Sequence, residues 1–305
     1  MRLAVDAVST GLWMAARAGG REPGRVAAMR RVFLGSEALH DGLLSEYELR
    51  TEYVRVYPGV YAPKRSTLTL AERAEAAWLW SRRQAVIAGA TASGLHGAEY
   101  VDDALPIELI WPNHRAPAGI ITRNDFIRTR ETTSVGGVPL STPERTAFDL
   151  ARRGSVWQAV ARLDALARAT DYKDADVLAL IDHHPHARWI RRVERVLGHV
   201  DAGAESPKES WLRMVLVDSG FPRPQTQIPV PGPYGEPIYH LDMGWPDRML
   251  AVEYDGQQHR TDSEQFRRDI VRSEYIARKG WTRLRVVAGD RRNEVAWRVR
   301  QVWPR

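Results

Sequence analysis

Hydrophobic and polar positions fall into short blocks along the chain, and the residues at the block edges say where each element begins. Ser36 is placed to cap a short helix over Glu37 to His40, and Asp41-Gly42 supplies a turn. Ser45, with Glu48 three residues on, forms a capping box for a second helix through Leu49. Tyr53-Val54-Arg55-Val56-Tyr57 has the β-branched and aromatic content of a strand, and after Pro58-Gly59 the chain returns through Val60-Tyr61-Ala62-Pro63. Two short helices followed by a hairpin have the outline of a winged helix, with Arg50 and Arg55 placed to reach a groove or a phosphate. The same residues suit a small helix–hairpin cap with no nucleic-acid role. Leu70 to Ser81 predicts a helix, Ala85 to Ala88 a strand, Ala92 to Leu95 a glycine-containing helix, and Ile107 to Trp111 a buried strand. Ser141-Thr142-Pro143-Glu144 opens a further helix with Pro at its first position, and helices continue to about Val200.

In the C-terminal third, Ser206-Pro207-Lys208-Glu209 reads as a capping box, and Trp211, Leu212, Val215 and Leu216 supply an apolar helical face that Gly220 ends. Two strands follow an extended stretch, Ile238 to Trp245 and Met249 to Asp255. Leu241, Met243 and Trp245 are expected on one face, opposite Tyr254, Val252 and Leu250, across a two-residue turn at Asp247-Arg248. A one-residue slip would mix apolar and acidic faces, so the pattern selects this register. It puts Asp242 opposite Glu253, with Asp255 on the same face. Cβ atoms so placed lie about 4.5–5.5 Å apart, and like charges there repel. These carboxylates need a proton or a cation, and a hard divalent ion such as Mg²⁺ or Mn²⁺ suits oxygen ligands. An exposed hairpin with an acidic face is the plainer alternative. Thr261 to Glu264 predicts another capping box, leading into a helix that carries Arg267, Arg268 and Arg272 and closes at Gly280. Trp281 to Val287 is a strand with Arg283 and Arg285 on one face.

Composition narrows the function classes. Of 305 residues, 44% are hydrophobic and 27% charged, which excludes a wholly disordered chain and predicts two or three packed units. The absence of cysteine excludes disulfides, thiolate catalysis and Cys-based metal sites, so any metal must be held by His, Asp or Glu. Asp182-His183-His184-Pro185-His186 reads as an exposed loop around a proline, not as a metal site. No apolar run approaches the ~20 residues that cross a bilayer, and the stretch from Ala7 to Ala16 makes a poor signal-peptide core. A cytoplasmic protein without a membrane partner is expected. Net charge is +6, and from Glu264 onward twelve Lys or Arg face five Asp or Glu, a local surplus that attracts double-stranded DNA. A solvated basic surface is the bland alternative.

Two resemblances refine these expectations. Arg55-Val56-Tyr57-Pro58-Gly59-Val60-Tyr61, Ala92-Ser93-Gly94-Leu95-His96-Gly97 and the run from Thr142 to Ala151 resemble the AbiEi family of type IV antitoxins, over roughly Met29 to Val200. That resemblance implies a winged helix joined to a mixed α/β domain, repression of the protein's own operon, and a cognate toxin as partner. From about Glu205 to Val287 the chain resembles the PD-(D/E)XK nuclease fold, in the form related to very-short-patch-repair endonucleases. The likeness rests on Glu209, Leu241-Asp242, Val252 to Gly256 with His259, and Asp269 with Arg272 before Gly280-Trp281. It implies that Asp242 and Glu253 hold the metal, that Glu209 supports them, and that the metal activates water for phosphodiester attack. The family's usual Lys falls at position 255, where this chain has Asp255; His259 or Lys208 would have to take its role. The expected architecture is therefore mixed α/β: an extension over 1–28 with no fold of its own, a winged-helix-like element over 29–66, an AbiEi-like α/β and helical region over 67–202, and a nuclease-fold domain over 203–305. Two functions stay open: a divalent-metal-dependent DNA endonuclease, with Asp255 and His259 completing the site, and a non-catalytic regulator or antitoxin that uses the nuclease fold to hold DNA.

Overall fold

The computed structural model describes residues 31–256 and 263–303; the expected extension over 1–28, Thr261 and His259 lie outside them. Helices and three sheets give a mixed α/β architecture. The N-terminal unit runs β1 (Phe33–Leu34), α1 (Gly35–His40), α2 (Glu46–Glu52), β2 (Tyr53–Tyr57) and β3 (Val60–Pro63). Ser45 and Glu48 form the expected reciprocal cap, with the Glu48 backbone N–H donating to the Ser45 hydroxyl at 3.2 Å. The first helix starts at Gly35 rather than after Ser36, with Leu34 at its N-cap and no side-chain cap, and a Cβ at 35 would press into the Tyr61 ring. The three strands are ordered β1-β3-β2.

Helix α3 (Leu70–Trp80) joins this unit to a five-stranded sheet. One continuous core contains Tyr57, Val60 and Ala62 from the small sheet, Ala74 and Ala77 from α3, and Ile87, Ile107, Leu109 and Leu140 from the larger one. That sheet holds β4 (Val86–Ile87), β5 (Ile107–Ile110), β6 (Ile120–Arg123), β7 (Thr132–Val135) and β8 (Val138–Ser141), in the order β6-β5-β4-β8-β7. The last three of these strands carry no pattern that the sequence reading singled out; each is four residues long, and β7 is largely exposed. Helix α4 (Gly89–Leu95) adds Ala92 to that first core, and α5 (Pro143–Ala151), α6 (Val156–Ala169), α7 (Asp174–His183) and α8 (Val193–Leu197) build a second around Phe148, Leu163, Leu166 and Val196.

Helix α9 (Pro207–Asp218) links that helical core to the C-terminal sheet, sending Met214 one way and Leu212, Val215 and Leu216 the other. The sheet is β12-β11-β10-β9, built from β9 (Gln225–Pro231), β10 (Pro237–Trp245), β11 (Leu250–Asp255) and β12 (Thr282–Val287). Helices α10 (Ser263–Arg278) and α11 (Arg292–Val302) complete the unit. The hairpin register is the expected one: Met243, Gly244 and Trp245 face Val252, Ala251 and Leu250. Its turn is not. Pro246 has no N–H to donate, so pairing stops at Trp245 and a four-residue connection follows, with Met249 at φ 49°.

The shared face is a second correction. Met243 and Trp245 pack with α9 and α11, but Leu241 packs with Ile228 and Ile276. The β9 residue between the pairs Leu241–Ile228 and Met243–Thr226 is Gln227, whose φ is 49°. Asp242 thus lies between a residue packed on the side of α10 and one packed on the side of α9 and α11.

Candidate nucleic-acid interface and acidic cluster

The acidic cluster gathers around Asp242. Asp242 turns its carboxylate across to the next strand, where Oδ2 accepts the Tyr254 backbone N–H at 2.9 Å. Glu209 arrives from the first turn of α9, held by its own cap: Ser206 Oγ donates to one carboxylate oxygen at 2.8 Å and the Glu205 N–H to the other at 2.9 Å. The Gln227 side chain reaches the same carboxylate at 3.5 Å. Glu253, only 5% exposed, points inward from β11. Burial, followed by the charges of Glu209 and Glu253, pushes the Asp242 carboxyl up to about 7, and burial also raises Glu209. The repulsion read from the sequence is therefore present, with Glu209 as an additional source.

The basic residues divide into two groups. Arg272 and Arg283 are turned inward and clamp Glu253: Arg272 donates to Oε1 at 2.7 Å, Arg283 to Oε2 at 3.0 Å, and Arg272 also reaches the His240 carbonyl at 2.8 Å. Arg285 lies 3.5 Å from Asp255 and bonds Ser273 at 3.3 Å. Arg267 and Arg268 are exposed on α10, and Arg50 and Arg55 are exposed on α2 and β2 of the N-terminal unit. Lys208 does not enter the cluster; its ammonium sits 5.8 Å from the centre of the Tyr254 ring.

As arranged, these carboxylates are held by other partners. Both oxygens of Glu253 are committed to guanidinium groups, one oxygen of Asp242 to a backbone N–H, and both oxygens of Glu209 to its cap. Among the described residues no group of three or more His, Asp or Glu is placed to hold a metal. Nor is any helix among them long and apolar enough to cross a membrane.

The central region contains a second charged network. Arg145, 1% exposed, bonds Glu131 and, at 3.1 Å, Asp149; Asp149 in turn accepts from Arg152 at 2.5 Å. His184 is not in an exposed loop. It is buried, with Nε2 at 2.9 Å from Glu131, because Phe126 and Phe148 enclose its ring and the ion network gives it a partner. Burial opposes the Glu131 charge, but His184 and Arg145 outweigh it and keep the carboxyl below its usual value. The spacing of Arg145, Asp149 and Arg152 on one helix was visible in the sequence; their partners Glu131, Asp125 and His184, from other segments, were not.

Residues 84–199, which span this network, match the family model described as the AbiEi antitoxin C-terminal domain. Two proteins of Mycobacterium tuberculosis, uncharacterized protein MT2308 (strain CDC 1551 / Oshkosh) and uncharacterized protein Rv2248 (strain ATCC 25618 / H37Rv), are each 30% identical to the chain over 242 residues, or 79% of this chain and 88% of the relative. The chain belongs to their family. The likeness is longer than the AbiEi-type region, so these relatives share flanking parts as well. Within the AbiEi-type region, the motif run from Thr142 to Ala151 contributes a helix cap at Thr142, the core residues Ala147 and Phe148, and the buried ions Arg145 and Asp149.

Proposed function

We propose that the protein is a DNA-binding regulator of a toxin–antitoxin pair, acting on the antitoxin side, whose C-terminal nuclease-like unit holds DNA without cutting it. The AbiEi-type region carries this reading. The commitment of Glu253 to Arg272 and Arg283, together with Asp255 where a nuclease of this kind has Lys, supports the non-catalytic part. Recognition falls to α2 and the β2–β3 hairpin through Arg50 and Arg55, and non-specific grip to Arg267 and Arg268 on α10. The test is titration of the full chain with a duplex from upstream of its own coding sequence and with a scrambled duplex. Affinity should fall with salt at a log–log slope of about −0.9 per phosphate neutralised. Arg50→Ala with Arg55→Ala should abolish the preference for the upstream duplex, whereas Arg267→Ala with Arg268→Ala should weaken both duplexes and flatten the slope. Equal binding of both duplexes by the wild type would overturn the regulator reading.

A second reading, metal-dependent DNA cleavage, is favoured by the convergence of Glu209, Asp242 and Glu253 and by the raised Asp242 carboxyl. It requires Arg272 and Arg283 to release Glu253 so that Asp242 and Glu253 can take Mg²⁺ or Mn²⁺. Plasmid cleavage in Mn²⁺ that is lost in Asp242→Asn would establish it.

A further inference from the structure

A cavity of about 550 Å³ opens on the AbiEi-type region, lined by Arg123, Arg152, Arg153, Gly154, Trp189 and Arg192. Four guanidinium groups in one depression are costly unless anions balance them. The carboxylates beside them balance only part. Glu108 takes Arg123 at 2.7 and 2.9 Å, Asp125 takes Arg152 at 3.1 Å and Arg153 at 2.7 Å, and Asp149 is shared between Arg152 and Arg145. Arg192 donates instead to the backbone carbonyls of Gly154 at 2.6 Å and Arg153 at 3.5 Å.

The donors are also incompletely used. Arg152 Nε, Arg153 Nη1 and Arg192 Nε are buried without a hydrogen-bond partner, and Arg152 is only 3% exposed. A buried N–H left unpaired costs about 1–3 kcal/mol, more for a charged group, so these three donors mark the guanidinium cluster as under-compensated. Burial pushes the Arg153 guanidinium below its usual value, the direction that an anion in the cavity would reverse. At the rim stands Trp189, 62% exposed and held at φ 65°, with the Arg188 guanidinium 5.6 Å from its ring centre. An aromatic face left open beside a cationic cavity suits a stacked base, and the volume lies within the range of small-ligand sites.

We propose that this cavity binds a nucleotide through a terminal phosphate, with Arg152, Arg153 and Arg192 as donors and Trp189 as the platform for the base. A terminal phosphate is favoured over the backbone of a duplex for two reasons. It carries close to two negative charges near neutral pH, against one for a diester. It also needs only a recess of this size, at which Arg152 is only 3% exposed, whereas the backbone of a duplex runs on past it.

The test is isothermal titration calorimetry of the full chain with AMP, GMP, the parent nucleosides, inorganic phosphate and a short duplex without a terminal phosphate. A 5′-monophosphate should bind at least about tenfold more tightly than inorganic phosphate or its nucleoside, a difference of about 1.4 kcal/mol. Trp189→Ala, at an exposed position, should bring nucleotide affinity down to that of inorganic phosphate. Arg192→Ala should weaken both, and circular dichroism of each variant should match the wild type. Three results would overturn the proposal: no heat with either nucleotide, equal affinity for phosphate and nucleotide that Trp189→Ala leaves unchanged, or binding of the duplex alone.

Discussion

Asp242 stands where burial, Glu209 and Glu253 all act against its charge, and only the Tyr254 N–H and Arg272 act for it. Its folded-state value near 7 lies above the ordinary 3.8, so the native protein holds a proton there that the unfolded chain has released. The stability this contributes is fully present below about pH 4 and is lost as pH rises through about 7. Glu209, also raised by burial, acts in the same direction. Asp242→Asn should therefore leave melting near pH 4 little changed and raise it at pH 8, by roughly 2–4 °C for each kcal/mol recovered. Differential scanning calorimetry at the two pH values checks this. A variant that melts below the wild type at pH 8 would mean that the Tyr254 contact outweighs the repulsion.

At the scale of elements, the hairpin of β10 and β11 depends on a glycine for its closeness. A Cβ at Gly244 would collide with the Leu250 carbonyl and lie 2.8 Å from the Ala251 Cα, both parts of the facing backbone. Gly244→Ala should therefore force the strands apart, at a cost of about 1–3 kcal/mol in urea unfolding. Gly256, just past the end of β11 with nothing within 4 Å of its would-be Cβ, is the control, and Gly256→Ala should unfold like the wild type. Separation at Gly244 would also move Asp242 relative to Glu253, so the Gly244 variant should lose part of the pH dependence described above.

For the molecule as a whole, the joint between the helical core and the C-terminal sheet contains a buried ion pair. Arg213 on α9 donates to Asp164 on α6 at 2.7 Å, and both side chains are 2% exposed or less. Ser210 and the Asp201 N–H donate to the same carboxylate, and Arg213 also reaches the His199 carbonyl at 2.8 Å. Burial still outweighs these partners and holds the Asp164 carboxyl above its usual value. Arg213→Met should cost about 3–5 kcal/mol because it strands a buried carboxylate. The double change Asp164→Asn with Arg213→Met should cost less than the single one, as urea unfolding of both variants would show. A double variant as unstable as the single would place the loss in packing around the Arg213 stem.

How much was legible in the sequence follows from how local each signal is. Caps and strands were read correctly at Ser45, at Thr142-Pro143 and over Tyr53 to Tyr57, because each depends on residues within one turn or one face of itself. The register that opposes Met243 to Val252 was legible for a related reason: hydrophobic alternation leaves one pairing that buries both faces. Tertiary structure alone decided the rest. Nothing in residue type marks the change that sends Leu241 to Ile228 and Ile276 while Met243 packs with α9 and α11, or the approach of Asp242 to Glu209. Partners separated by tens of residues followed the same rule. Arg272 and Arg283 on Glu253, His184 on Glu131 and Arg213 on Asp164 meet only after folding, since a lone charge in a sequence does not specify which opposite charge will share its burial.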